Sequence, residues 1–480
     1  MIDGTAPAAI QRFGAVMDSI ITPKSSIWHN IRPNDPMLMK DRETRLWYEQ
    51  TNDLLFSYRY SPFANFASVQ NEGYLSLGAF GTRCKFVDQR SDKPGLRYKS
   101  IPLGEIFIEE NHQQIVDTVY RCFRMKGRQV LQQFGKSAPE DIFKQYQAGL
   151  DRDYEIIHVV KPNNYADPRK RDFRGKPFKS FYVCRKHKYI LSEGGYDTMP
   201  YIVSRYSTLA GEKYGRSPCM TILPAIKTLN EQKRITLKQG HRAVDPIYLM
   251  ADDGIMDAAS AMPGSFVAGG MSPEGRHLVG TLQTGNIAIA RDMMEDERVL
   301  INDALLITLF QILIERGVMT ATETMERAKE KADLIAPIAG RQEMEDLTPM
   351  IIREVDLLQR QGILPPPTNA MIEAGGNYIV EFDTPISRMR KAESISGGMR
   401  AFQFAAEIAA QTQDPSALDV FNQDVMVKDM MDAMGGKTSW TNDEAMIAAK
   451  RKGRQEQAAT QQMIDAGPSM ASMMKVTANQ

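Results

Sequence analysis

The spacing of apolar residues changes character several times along the 480-residue chain. Mixed helical spacing over 8–20 and 40–60 predicts two helices, and Pro23, Pro33, Pro36 and Pro62 punctuate the gaps. From about Tyr74 to Ala210 the period shifts towards two, so 83–87, 105–109, 154–160, 181–185 and 201–206 read as strands. Shorter helices are expected at 127–134 and 138–150. Half-buried sheet with helices packed on it is an α+β arrangement.

A sharp boundary follows. Ser217 suits an N-cap and Pro218 the first helical position, where a missing N–H costs nothing. Ile222, Ile226 and Leu229 then share one apolar face, and the helix is expected to run to about Arg242. Residues 246–290 are rich in Gly and Pro, which forbids long helices; 247–250, 265–268 and 287–290 read as short strands of a turn-rich module. Helix is expected again over 292–314, with acidic residues in its first turns, where the helix dipole favours them.

After a break at Glu315-Arg316-Gly317-Val318-Met319, Thr320 and Glu323 form a capping box. The helix it opens is expected to reach about Gln361, with kinks at Pro337 and Pro349 and a stop at Pro365-Pro366-Pro367. A strand at 378–382 and helices over 387–410 and 417–434 complete the ordered chain. The tail from about Gln455 is polar and without an apolar period, so it reads as poorly ordered.

Composition narrows the classes. Lys+Arg and Asp+Glu both number 59, so bulk charge attracts neither nucleic acid nor an anionic membrane, and such contacts must come from local patches. The segment 217–242 is one: five cations against Glu231 leave it at about +4, whereas 291–361 is about −6. The 29 Met against 3 Trp hint at adaptable interaction surfaces. No secretory signal is visible, and the most apolar stretch, 299–314, is too short and too polar to span a bilayer. A soluble protein is expected.

Candidate chemistry is thin. Cys84, Cys122, Cys184 and Cys219 lie too far apart for a zinc site or a disulfide framework, so reduced thiols are expected. Gly435-Gly436-Lys437-Thr438 resembles the end of a phosphate loop, but residue 431 is Met where that loop needs Gly. Gly215-Arg216-Ser217-Pro218-Cys219 is spoiled as a nucleophile elbow by Pro218 and Cys219. The six His never fall at metal-binding helical spacing. No enzyme, cofactor or metal site is expected. Arg169-Lys170-Arg171 with Arg174, Lys176 and Lys179, interleaved with Tyr165, Phe173 and Phe178, suits either nucleic acid or a solvated loop.

The order of motifs resembles a known family. Tyr206-Ser-Thr-Leu-Ala-Gly-Glu-Lys-Tyr-Gly-Arg-Ser-Pro218, Leu223-Pro-Ala-Ile-Lys-Thr-Leu-Asn230 and Ala243-Val-Asp-Pro-Ile-Tyr-Leu249 with Asp253-Gly254 are similar to the head-to-tail connectors, the portal proteins of short-tailed, podovirus-type bacteriophages. Thr320-Ala-Thr-Glu-Thr324 with Glu326-Arg327, Gly340-Arg-Gln-Glu343, Leu347-Thr-Pro349 and Gln361-Gly-Ile-Leu-Pro365 continue the resemblance. It is strong over about 200–390, and weaker over Asp3-Gly-Thr-Ala-Pro-Ala-Ala9 and Leu54–Asn65. Family members usually carry a further helical segment before the Asp3 stretch; here the chain starts almost at it, as in a short variant or a truncated form.

The resemblance implies a portal-type fold in a ring, usually a dodecamer, with a central channel for double-stranded DNA. Residues 1–216 and 320–386 would form an α/β wing with the long kinked helix, 217–242 and 292–314 a two-helix stem capped at Ser217 and Pro218, and 243–291 a small β-rich clip. Residues 315–319, centred on the permissive Gly317, would form the channel loop, 387–454 a helical crown and 455–480 a flexible tail. Lys233, Arg234 and Lys238 are the candidates for contacting DNA phosphate. Implied partners are a terminase motor, major capsid and scaffolding proteins and tail adaptors, with no membrane. The implied location is the unique capsid vertex of the virion, after assembly in the host cytoplasm. Two other readings stay open: another head-tail adaptor or internal virion protein, and a nucleic-acid enzyme supported only by the 435–438 segment.

Overall fold

The computed structural model describes residues 2–167, 169–170, 172–244, 248–250, 272–276, 279–281, 287–307, 334–383, 385–412, 415–433, 440, 442 and 446–457. The fold is mixed helix and sheet. The described residues of Met1–Thr22 and Pro62–Asp356 make one compact unit, and those of Pro23–Ser61 and Leu357–Gln480 a second.

The chain opens with α1 (Thr5–Ile21), whose Ala9, Phe13, Met17 and Ile21 form the buried stripe expected of an amphipathic helix. It then enters the second unit as β1 (His29–Pro33) and α2 (Arg42–Arg59), which Asp41 caps through the N–H groups of Glu43 and Thr44. The buried Trp28 in this unit donates to the Tyr60 hydroxyl at 3.1 Å, with the Arg59 guanidinium 4.6 Å from its ring. Asn52 stitches α2 to β1 by accepting from the Ile31 N–H at 2.9 Å.

Back in the first unit, α3 (Phe66–Phe80) leads into β2 (Thr82–Gln89), β3 (Leu96–Ile101), β4 (Ile106–Glu110) and β5 (Val116–Lys126). Helices α4 (Gly127–Phe134) and α5 (Glu140–Gln147) come next, followed by β6 (Asp153–Pro162), β7 (Phe178–Cys184), β8 (Tyr189–Tyr196) and β9 (Tyr201–Arg205). Two antiparallel sheets result, one ordered β3-β2-β9 and one β4-β5-β6-β7-β8. Cys84, Phe86, Ile101 and Val203 of the first sheet pack with Ile106, Ile108, Val119 and Val160 of the second in one core. Helices α4 and α5 close over the larger sheet around Val130, Ile142 and Ile156.

His158 of β6 is buried in that core. Its ring stacks on Tyr182 at 3.8 Å, and its two nitrogens meet the Tyr201 hydroxyl at 2.6 Å and Ser180 Oγ at 2.9 Å. Burial, aided by the nearby Arg121 charge, lowers its pKa from 6.5 to about 3. The unfolded chain therefore binds a proton below pH 6.5 that the folded chain refuses down to pH 3. Stability associated with neutral His158 is full above pH 6.5 and falls by up to about 1.4 kcal/mol per pH unit below it. His158→Gln should lose this acid slope in pH-dependent urea unfolding, and an unchanged slope would sink the assignment.

Beyond β9 come the short α6 (Pro218–Thr221), α7 (Leu223–Val244), the paired β10 (Tyr248–Met250) and β11 (Val279–Thr281), and α8 (Ile287–Ala304). The single helix expected over 217–242 is broken at Ile222. Pro224 cannot donate to the Met220 carbonyl, so α7 restarts rather than continuing α6. The strand expected at 287–290 is instead the first turn of α8. Its Ile-Ala alternation is overridden by the longer helical pattern that buries Met294 and Ile301.

The chain resumes as α9 (334–342), a π-helical turn at Glu343–Leu347, and α10 (Thr348–Arg360). The irregularity expected from Pro349 is thus a π turn immediately before it, which reroutes the bonds that proline cannot make. In the second unit, Tyr378–Phe382 (β12) pairs antiparallel with β1, and helices occupy Pro385–Thr412 and Gln423–Ala433. The helix expected over 417–434 begins later than read, because Pro415–Leu418 forms a 3-10 turn. The break at 315–319, the capping box at 320–323, the segment 435–438 and the tail from 458 lie outside the described residues.

Candidate functional site

Three groups of residues can be placed: the α7/α8 pair and the basic stretch around 170, which the sequence singled out, and the 340–346 segment, of which the sequence pointed only to 340–343. The first begins at Ser217, whose Oγ accepts from the Met220 N–H at 2.9 Å and donates to the Ala79 carbonyl at 2.8 Å. That hydroxyl is fully used in holding α6, with Pro218 at the first helical position. Close backbone contact fixes the same corner. A Cβ on Gly215 would lie 2.1 Å from the Gly81 carbonyl oxygen, and Gly81 itself sits at φ 75°, so both positions require glycine.

Ala225 and Leu229 bury one face of α7, and Asn230 anchors the N-terminus. Asn230 Oδ1 accepts from the Ile2 and Asp3 N–H groups at 3.0 and 3.2 Å. The Asp3 carboxylate accepts from the Thr5 N–H at 2.8 Å and lies 3.5 Å from Arg298 of α8. Burial raises the Asp3 pKa, but the Thr5 bonds and the Arg298 charge outweigh it and hold the carboxyl below its ordinary value. The Asp3-Gly-Thr-Ala stretch is therefore a clasp on the helix pair, a role that sequence alone did not reveal.

The C-terminal half of α7 lies against the N-terminal half of α8, so the two run antiparallel and enclose a groove of about 750 Å³. The three candidate phosphate-contacting residues do not share one face. Lys233 lines this groove together with Glu295 and Arg298. Arg234 and Lys238, four residues apart, lie on a different stripe with Arg242. Arg234 Nε donates to Glu231 at 2.8 Å, a pairing that holds the Glu231 carboxyl below its usual range. Among the described residues, the part of the basic stripe outside any ion pair is thus Lys238 and Arg242. Between the charges sit exposed apolar side chains: Ile235 and Leu237 on α7, and Met293, Val299 and Leu300 on α8, each about half exposed.

The second group is buried. Glu345 and Asp346 of the π turn, with Gln342 just before it, fasten this helix to the three-stranded sheet. Arg83 and Lys85 of β2 point away from the inter-sheet core and both pair with Asp346, Lys85 Nζ at 3.0 Å. Lys85 also donates to Gln70 at 3.1 Å, and Arg83 Nε to Ser204 Oγ at 2.8 Å. Ser204 in turn donates to Gln342 at 3.0 Å, and Arg205 pairs with Glu345 and Glu110. Burial would raise the Asp346 pKa, yet the charges of Arg83 and Lys85 hold it below the carboxylate range. Burial lowers Lys85 to about 8. The alternation of apolar and cationic residues in β2 fits the half-buried strand expected over 83–87. The cationic face is buried as well because it meets Asp346, 261 residues further on.

The basic stretch around 170 is a compact turn before β7. Asn163 Nδ2 donates to the Arg174 and Lys176 carbonyls at 3.1 and 2.9 Å, and Lys176 is paired with Asp197 at 2.5 Å. Tyr165 is exposed, and Arg171 lies outside the described residues. All four cysteines are free thiols. Among the described residues no cluster of His, Cys, Asp or Glu is arranged to hold a metal ion, and no helix is long and apolar enough to cross a membrane.

The model of the family described as bacteriophage head to tail connecting protein matches residues 1–441, so the chain belongs to that family. Among its relatives, a probable portal protein of Bordetella phage BPP-1 is 26% identical over 478 residues, covering 96% of this chain and 83% of that protein. The portal protein of Salmonella phage epsilon15 is 24% identical over 482 residues, covering 98% and 85%.

Proposed function

We propose that copies of this chain close into a portal ring at one vertex of a phage capsid, through which double-stranded DNA enters and leaves and on which the tail is built. The family match over 1–441 carries the reading. The helix pair supports it: α7 and α8 expose apolar side chains that a neighbouring copy would bury, beside a basic stripe suited to phosphate. In this reading 217–242 and 292–314 are the stem, 243–291 the clip, 1–216 and 320–386 the wing, 315–319 the channel loop and 387–454 the crown. The ring number is taken as twelve. A terminase motor, capsid and scaffolding proteins and tail adaptors are the partners.

The proposed role is the passage of DNA rather than catalysis. A channel must not grip DNA, because each phosphate neutralised adds to the barrier to sliding. A chain with no net charge and a few local cations fits that demand. Lys238 and Arg242 carry the phosphate contact most directly, while Arg234 is engaged by Glu231 and Lys233 lines the groove between the helices. Reversing Lys233, Arg234 and Lys238 to Glu together is expected to reduce packaged and retained DNA at least tenfold in a phage complementation assay. Wild-type packaging by the triple variant would remove these side chains from the channel.

A further inference from the structure

A cleft of about 980 Å³ opens between the two sheets and α4, away from the helix pair. Its floor is aromatic: Phe86 and Tyr201 pack at 4.8 Å, beside Tyr182. Its charges do not cancel. Asp92 is paired with Arg90, Asp88 faces Arg353 at 3.6 Å, and Arg121 is paired with Glu105 at 2.9 Å. Arg97, Lys99 and Arg124 are exposed around the same cleft, and among the described residues none of them is in an ion pair. Arg97 spends one N–H on the Phe63 carbonyl at 2.9 Å. Lys99 also acts on the Asp88 carboxylate, and Arg97 and Arg124 have no charged partner among the described residues, so the cleft keeps a positive excess.

We propose that this cleft binds a short, extended, acidic segment of a partner protein. Its volume is at the upper end of the roughly 300–1,000 Å³ usual for ligand clefts, which suits a few residues of chain and cannot admit a DNA duplex. The three cations supply carboxylate contacts, and Arg does so bidentately. The aromatic floor takes apolar side chains that alternate with the acids. Gln132 and Gln133, exposed on α4 at the rim, offer both donors and acceptors. A peptide backbone uses both, whereas phosphate only accepts.

The test uses the full chain and a fluorescent peptide of about eight residues that alternates glutamate with tyrosine or leucine. Saturable binding below about 1 mM is expected, weakening with salt. The same peptide with glutamine for glutamate should bind at least tenfold more weakly. Lys99→Glu with Arg124→Glu should cost at least tenfold, while Lys186→Glu, on the exposed β7–β8 turn outside the cleft, should not. Because these side chains are exposed, all variants should keep the wild-type unfolding curve; Gln132→Ala with Gln133→Ala gives a second, milder loss. No saturable binding, equal binding by the glutamine peptide, or insensitivity to the cleft variants would each overturn the proposal. Displacement by an oligonucleotide of equal charge, lost in the same variants, would reassign the cleft to nucleic acid.

Discussion

Replacing Asp346 by Ala is expected to lower the stability of the unit that contains it by about 3–5 kcal/mol, the cost of leaving buried charge without its partner. Arg83 and Lys85 are both nearly inaccessible to water, and Asp346 is the carboxylate they share. The carboxylate also accepts from Gln70 Nε2 at 3.2 Å, so its loss leaves that amide group with the Tyr74 hydroxyl, at 3.0 Å, as its remaining acceptor. Arg83→Met, Lys85→Met and Asp346→Leu combined should recover most of the loss, because removing all the charges removes the desolvation cost. Thermal and urea unfolding of the single and triple variants decide it. A single variant as stable as wild type would mean that the cluster is hydrated and not the fastening described.

The second large effect concerns assembly. Ile235→Asp together with Leu300→Asp should leave the subunit folded and prevent ring formation. The side chains are 52% and 51% exposed, so the subunit itself should change by no more than about 0.5 kcal/mol. In a ring every interface is the same head-to-tail contact, so both charges would be buried at each junction. Sedimentation velocity should show the wild type as a ring and the variant as a monomer. Rings formed by the variant would place the subunit contact elsewhere.

Much of the fold could be read from spacing. The strands at Thr82–Gln89, Asp153–Pro162 and Tyr201–Arg205 and the helix Gly127–Phe134 fall where the period predicts. Failures had local causes. Tyr74 to Phe80 lies in α3, although the period shifts towards two from Tyr74; Gly73 and Gly78 blur its helical pattern. Val116–Lys126 and Tyr189–Tyr196 carry no legible period, the first because it mixes charge with apolar residues and the second because it contains Gly194 and Gly195. The site was less legible. The N-cap at Ser217 is a local signal, whereas the Asp346 cluster and the Asp3–Asn230 clasp join residues more than 220 apart. The candidates Lys233, Arg234 and Lys238 were grouped by composition; helical geometry and Glu231 separate them.

Light scattering of the purified protein, with negative-stain images of the same peak, reads whether copies of the proposed portal subunit close into a ring. A closed ring near twelve times the subunit mass of 54.0 kDa is expected. A stable dimer or an open filament at the same concentration would contradict it.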